Sequence, residues 1–201
     1  MRIGFLGAGV VAQTIARHVL PLGHQVVLSN TRGPESLTSL VAELGPGAGA
    51  GTPEQAAEQD VVVLAVGWPH VQAALSSVPD WSGRILVDAT NRIAGDAPIA
   101  LGLSGRTSSE IVADLAPGAR VVKAFNSVPM SWISDVSPDK PRTVLFVSGD
   151  DGDAKGRVAE LIDETGLVSV DLGSLAAGGR LQQVGGPLAG INLTFGGRLV
   201  P

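Results

Sequence analysis

The 201-residue chain contains no cysteine and no tyrosine. The first absence excludes disulfides and thiolate metal sites, and it suits a cytoplasmic protein. The second removes the tyrosine acid on which many carbonyl reductions depend. Positive charge is scarce. Lys and Arg number 14 against 19 Asp and Glu, a net charge of −5, and no basic run occurs, which argues against a general nucleic-acid partner. No apolar stretch approaches the roughly 18 residues of a membrane-spanning helix, so no membrane contact is expected. A strand beginning at residue 2 leaves no room for a secretion signal. What the chain does have is 44% hydrophobic residues, divided into strand-length runs such as "VVVLAV" (61–66). Runs of that length suit a sheet buried on both faces.

Strand and helix patterns alternate along the chain. Strands are expected at 2–7, 24–30, within 45–52, and at 60–66, 84–90, 119–125, 142–149 and 167–173. Helices are expected at 10–23 (broken near Pro21 and closed by Gly23), from Pro34 to about Leu44, at 53–59 and 69–78, at 108–116 with a serine as N-cap, and at 153–166. Residues 91–105 read as a loop. This alternation specifies an α/β protein with a doubly wound, mostly parallel sheet. The stretch 127–141, rich in Pro and Ser, is the nearest approach to a boundary. It divides the chain into a nucleotide-binding unit over 1–126 and a short C-terminal α/β extension over 127–201.

"GFLGAGVVA" (4–12) places Gly7, Gly9 and Ala12 in the spacing G-x-G-x-x-A, between a buried strand and a helix. Gly7 permits the tight turn, Gly9 lets a pyrophosphate approach the backbone, and Ala12 allows helix and strand to pack closely. The helix N-terminus then offers unpaired N–H groups to phosphate. The second strand ends about twenty residues later, where an NAD site carries a carboxylate for the adenosine ribose. This chain has Asn30, Thr31 and Arg32 instead. An amide, a hydroxyl and a guanidinium fork suit a 2′-phosphate that a carboxylate would repel, and Ser36 can add a donor. The motif therefore reads as NADP(H) binding.

Further along, "SNTRGPESL", "VVVLAVGWPHV", "VDATNRIAG", "VVKAFNSVP", "LFVSGDDGDAKGRVAELIDETGLVSVDLGSL" and "GGPLAGINL" follow "GAGVVA" in order. With them the chain resembles, over essentially its whole length, the NADPH-dependent coenzyme F420 reductase family, which includes the cytosolic domain of the STEAP metalloreductases. The resemblance implies a Rossmann protein, often a homodimer, that passes hydride between NADP(H) and a deazaflavin or from NADPH to a flavin. It implies that Gly7, Gly9, Val10 and Val11 cradle the pyrophosphate, and that Asn30, Thr31, Arg32 and Ser36 face the 2′-phosphate. Val66 and His70 would lie along the nicotinamide ribose, with Ala124 and Asn126 near the nicotinamide. Gly67-Trp68-Pro69 departs from the family's more usual Pro-Trp at the lip of the acceptor pocket.

Other candidates carry weaker expectations. Trp68 and Trp132 read as pocket walls, Trp81 as the cover of a loop, and His18 and His24 as structural. Lys123 reads as a strand residue more than a catalytic lysine. "GDDGD" (149–153) reads as a helix cap and not a metal loop. No side chain is assigned as catalytic acid or base, and none as a metal ligand. A polyanionic deazaflavin would call for positive charge in the acceptor cleft, with Arg92, Arg106 and Lys123 as candidates. Residues 178–201, apolar but interrupted by glycines, are expected to pack at a homodimer interface and to wall the acceptor pocket. Alternatives are an NADPH-dependent reductase of a small carbonyl or imine substrate, whose relatives carry a long helical C-terminal domain, and a non-catalytic NADPH-binding sensor.

Overall fold

In a computed structural model of the chain, residues 1–94, 97–98, 105–137 and 139–196 are described. The chain begins with β1 (Arg2–Leu6), α1 (Val10–Val19), β2 (Gln25–Ser29), α2 (Thr38–Leu44), β3 (Ala48–Ala50), α3 (Pro53–Ala57), β4 (Val61–Leu64), α4 (Val71–Ser76) and β5 (Ile85–Asp88). Two-residue strands β6 (Ile93–Ala94) and β7 (Ala97–Pro98) pair with each other. Then come α5 (Ser108–Leu115), β8 (Arg120–Lys123), β9 (Arg142–Gly149), α6 (Gly152–Glu164), β10 (Val168–Asp171), α7 (Gly178–Gln182) and β11 (Thr194–Phe195). Single 3-10 turns precede α2 and α4, follow α1, and occupy Met130–Trp132.

The main sheet has the order β10-β9-β8-β5-β4-β1-β2-β3. Its stretch 3-2-1-4-5-8 is parallel throughout and reproduces the strand order of a dinucleotide-binding fold. All four residues of β4 and of β5 are buried, as a strand covered on both faces requires. One core lies under α1 and α6, the other under α3, α4 and α5. Helix α1 buries Ala12, Ile15, Ala16 and Val19, the i, i+3, i+4, i+7 stripe of an amphipathic helix. Full burial of a large aliphatic side chain such as Ile15 contributes about 1.5–3 kcal/mol. No helix among the described residues is long and apolar enough to cross a membrane.

The structure departs from the sequence reading at several points. β9 runs antiparallel to β8, so strand direction reverses within the one sheet. Hydrophobic periodicity is blind to strand direction, and the long connection between Lys123 and Arg142 makes the reversal possible. Part of the expected loop 91–105 is the β6–β7 pair, while 95–96 and 99–104 lie outside the described residues. Helix α5 is capped by Thr107 and not by a serine, because Thr107 and Glu110 close a reciprocal capping box. Trp81 is a core residue, 3% exposed, and donates to the Leu75 carbonyl. The C-terminal stretch, although interrupted by glycines, contains α7 and β11, and β11 joins the sheet beside β9. Its Leu181, Ile191 and Leu193 remain exposed on this single chain.

Candidate functional site

The turn after β1 begins at Gly7, whose φ of 105° is one that side chains disfavour. A Cβ there would also stand 2.3 Å from the Ala65 carbonyl oxygen, so the glycine is required twice over. Its amide donates to Ser29 O, tying the turn to the end of β2. Gly9 is the opposite case. A Cβ at Gly9 would meet nothing within 4 Å, so the space before it is open. Gly9 is also the N-cap of α1 and makes no side-chain cap, and no acidic residue occupies the first turn. The first N–H groups of α1 and its positive dipole end are therefore available to an anion. Val10, 67% exposed, and the half-buried Val11 stand at this end. Gln13 steadies the loop by donating through Nε2 to Ala8 O at 2.9 Å.

At the end of β2 a turn is held in place without any carboxylate. Asn30 Oδ1 accepts the Arg32 amide at 2.9 Å, and Asn30 Nδ2 donates to Ser36 Oγ at 2.9 Å. Ser36 Oγ in turn donates to Gly33 O at 2.7 Å. Asn30 and Ser36 thus shape the turn that presents Thr31 and Arg32, both exposed. Within the described residues the Arg32 guanidinium makes no hydrogen bond or ion pair, leaving its five donors to solvent or ligand.

These two turns open on one cavity of about 320 Å³. Gly7, Asn30, Thr31, Val66 and His70 line it together, with an apolar wall from Pro53, Ala73 and Ala74. His70 ends the 3-10 turn Trp68–His70 and is exposed, whereas Trp68 packs half-buried against the second core. Pro53, Ala73, Ala74 and Gln13 were not read from the sequence. Small apolar residues and a lone glutamine carry no motif, and only the helices' placement brings them here.

Ala124 and Asn126 lie at the carboxyl end of β8 and do not line that cavity. Ala124 is fully buried and Asn126 is 6% exposed. The Asn126 amide donates to Gln182 O at 2.9 Å and to Asn91 Oδ1 at 3.1 Å. Between them Phe125 takes φ 60°, a left-handed conformation unusual for an aromatic residue. The expected cationic cleft is not assembled from its candidates. Lys123 is wholly buried against Asp88, and Arg106 is bound to Asp114 and to Glu110 O. Arg92 is half-buried. Burial by itself raises the Asp88 carboxyl, but the adjacent Lys123 ammonium and donors from Ser109 and Thr90 outweigh it and hold that carboxyl below its ordinary value.

The remaining candidates fall outside the site. His18 meets Ile133 O, and His24 sits between the N-terminal amine and Glu164. Asp151 caps α6 by accepting the Ala154 amide. Trp132, 38% exposed, lines a separate cleft with Lys140, Arg142 and Asn192.

Known proteins share this sequence pattern and fold. Residues 2–92 match the family described as NADP oxidoreductase, coenzyme F420-dependent. A Sinorhizobium meliloti protein, SMa0349, is 40% identical, with a TM-score of 0.88 over 96% of this chain and 95% of its own. A protein of Arthrobacter sp. FB24 bearing the name F420-dependent NADP-reductase is 30% identical, with a TM-score of 0.74 over 87% of this chain and 86% of its own. The rat (Rattus norvegicus) metalloreductase STEAP3 is 29% identical over 184 residues, which is 91% of this chain and 36% of that protein. The chain thus spans about a third of the length of this last relative.

Proposed function

The chain belongs to the coenzyme F420-dependent NADP oxidoreductase family, and on that premise we propose that it transfers hydride between NADP(H) and a deazaflavin of the coenzyme F420 type or a flavin-like ring. The observation that carries the cofactor half is the turn of Asn30, Thr31, Arg32 and Ser36, whose side-chain hydrogen bonds use no carboxylate, beside the uncapped start of α1. Its donors match a 2′-phosphate, and the open space before Gly9 matches a pyrophosphate. In this assignment Gly7, Gly9, Val10 and Val11 hold the pyrophosphate. Val66 and His70 flank the nicotinamide ribose with Trp68 behind them. Ala124 and Asn126 stand on the nicotinamide side, where the Asn126 side-chain amide and backbone oxygen hold the turn.

A reduced nicotinamide supplies the hydride when bound. The chain's own part is to hold two flat rings face to face in a fixed orientation and to exclude water from between them. Among the cavity's lining residues His70 is the titratable one, and a ring-to-ring transfer requires no proton donor from it. Residues 127–201 are assigned to the acceptor side. We place the protein in the cytoplasm as a homodimer that covers the exposed Leu181, Ile191 and Leu193.

The test is NADPH oxidation measured against coenzyme F420, free flavins and a panel of carbonyl and imine compounds. Turnover is expected with the deazaflavin, then with flavin. Turnover confined to a carbonyl or imine would replace the acceptor, and tight NADPH binding without any turnover would indicate a sensor. Light scattering checks the dimer, whose absence would leave the three leucine and isoleucine side chains to another partner.

A further inference from the structure

β8 and β9 run side by side only where Val122 and Lys123 face Gly149 and Ser148. Beyond that point they part. The chain leaves β8 through Ala124 and the left-handed Phe125, and farther along β9 the vacated edge is taken by the C-terminal segment. There Leu193 O accepts the Val144 amide at 2.8 Å, and Thr194 lies opposite Thr143. Between the two pairings is a fork, and backbone groups on its facing edges need partners from elsewhere.

Gln182 fills the fork. It has no exposed surface, although it lies in a glycine-rich segment far along the chain. Its Nε2 is 3.2 Å from Lys123 O, 3.3 Å from Phe146 O and 2.9 Å from Asn126 Oδ1. Its Oε1 accepts Ser148 Oγ at 2.6 Å, and its backbone oxygen accepts Asn126 Nδ2. One side chain therefore joins the end of β8, the middle of β9 and the turn 124–128. The helix that carries it is fixed in turn. Gln183 Oε1 accepts the Ser108 amide at the start of α5, and Thr107 Oγ1 donates to Leu175 O. At Gly178 a Cβ would stand 2.6 Å from Leu172 O, so only glycine lets α7 lie this close.

We infer that Gln182 is a positioning residue for the nicotinamide end of the nucleotide, acting through the 124–128 turn. This rests on the NADP(H) reading given above. The turn emerges at the carboxyl end of the parallel strands, the end at which Gly7 and Val66 also lie and where such sheets bind their ligands. A left-handed aromatic residue persists only where its surroundings over-determine it. Phe125 is buried in the first core on one side, and the next residue is clamped by Gln182 on the other. The adenosine end, at Asn30 and Arg32, shares no hydrogen bond with this network among the described residues, so the two halves of the nucleotide should respond separately to its loss.

The experiment uses the full-length chain with Gln182→Met and, as a shape-preserving variant that cannot donate when ionised, Gln182→Glu. Affinities for NADPH and for adenosine 2′,5′-bisphosphate, which carries only the adenosine half, are measured beside the emission of bound NADPH. Circular dichroism monitors folding. The expected result is bisphosphate affinity within about twofold of wild type, NADPH affinity lowered at least tenfold, and bound-NADPH emission shifted toward that of the free nucleotide. An unchanged ratio of the two affinities in whichever variant folds would overturn the inference, whether both stay constant or both fall together. Failure of the wild type to reduce coenzyme F420 would sink the acceptor assignment and leave this ratio readable. Failure to bind NADPH at all would overturn both.

Discussion

Lys123 Nζ lies 3.1 Å from Asp88 Oδ2, and neither side chain has exposed surface. The ammonium also donates to Thr90 O, while Asp88 accepts from Ser109 Oγ and from the amide and hydroxyl of Thr90. β5, β8 and α5 are thereby joined at the carboxyl end of the sheet by a polar network whose partners are satisfied. The lysine that invites a catalytic reading is thus a buried tie, one residue before the turn that Gln182 holds.

Removing one partner of such a pair strands a buried charge. Lys123→Met is expected to lower unfolding free energy by about 3–5 kcal/mol, read from urea denaturation. Adding Asp88→Asn to that variant should restore part of the loss. If the single change proves neutral, the pair contributes nothing to stability.

The same carboxyl sets a pH dependence. Its folded value lies below the ordinary one, and an unfolded Asp titrates near about 3.9. The stabilisation it confers is therefore fully present well above that value and is lost as pH falls through it toward the folded value. Thermal unfolding of wild type and Asp88→Asn across the acid range should show a stability gap that narrows as pH falls. A gap that widens toward acid would contradict the depressed value.

Arg32 presents its guanidinium on a turn built by Asn30 and Ser36. Arg32→Ala should weaken NADPH by about 1.5–3 kcal/mol, the range for a hydrogen bond to a charged group, and leave NADH nearly unaffected. Titration of both nucleotides against both proteins decides it. Equal losses, or a wild-type preference for NADH, would remove the 2′-phosphate assignment.

Gly7 and Gly9 should fail in different ways. Gly7→Ala places a Cβ against Ala65 O at a disfavoured φ, so it should destabilise the fold even without nucleotide. Gly9→Val meets open space, so the protein should fold normally and lose NADPH. Folding is followed by circular dichroism and binding by titration. A folded Gly9→Val that binds NADPH with undiminished affinity would make this turn structural only.

The parts of the molecule legible in the sequence are those written in local pattern. Arg142–Gly149, the Val10–Val19 helix and the 3-10 turn after it that Gly23 closes follow from runs, periodicity and glycine, and the spacing of Gly7, Gly9 and Ala12 marks the turn between β1 and α1. What escaped depends on contacts across the chain. Alternating hydrophobicity cannot tell that β9 opposes β8. Asp88 and Lys123 are 35 residues apart, and nothing in either neighbourhood announces the other. Gln182 reads as one more polar residue between glycines, yet it bonds to Lys123, 59 positions earlier. The Thr107 cap was within reach, since Glu110 stands three residues after it.

The fork between β8 and β9 also orders events in time. During synthesis, residues 1–126 emerge before β9 and carry β1 to β8 together with the Gly7 and Asn30 turns. The edge of β9 beyond Lys123 is completed only when Gln182 and residues 193–195 arrive, and such distant pairings form slowly. Until Gln182 is in place, the turn after β8 lacks the side chain that joins it to β9.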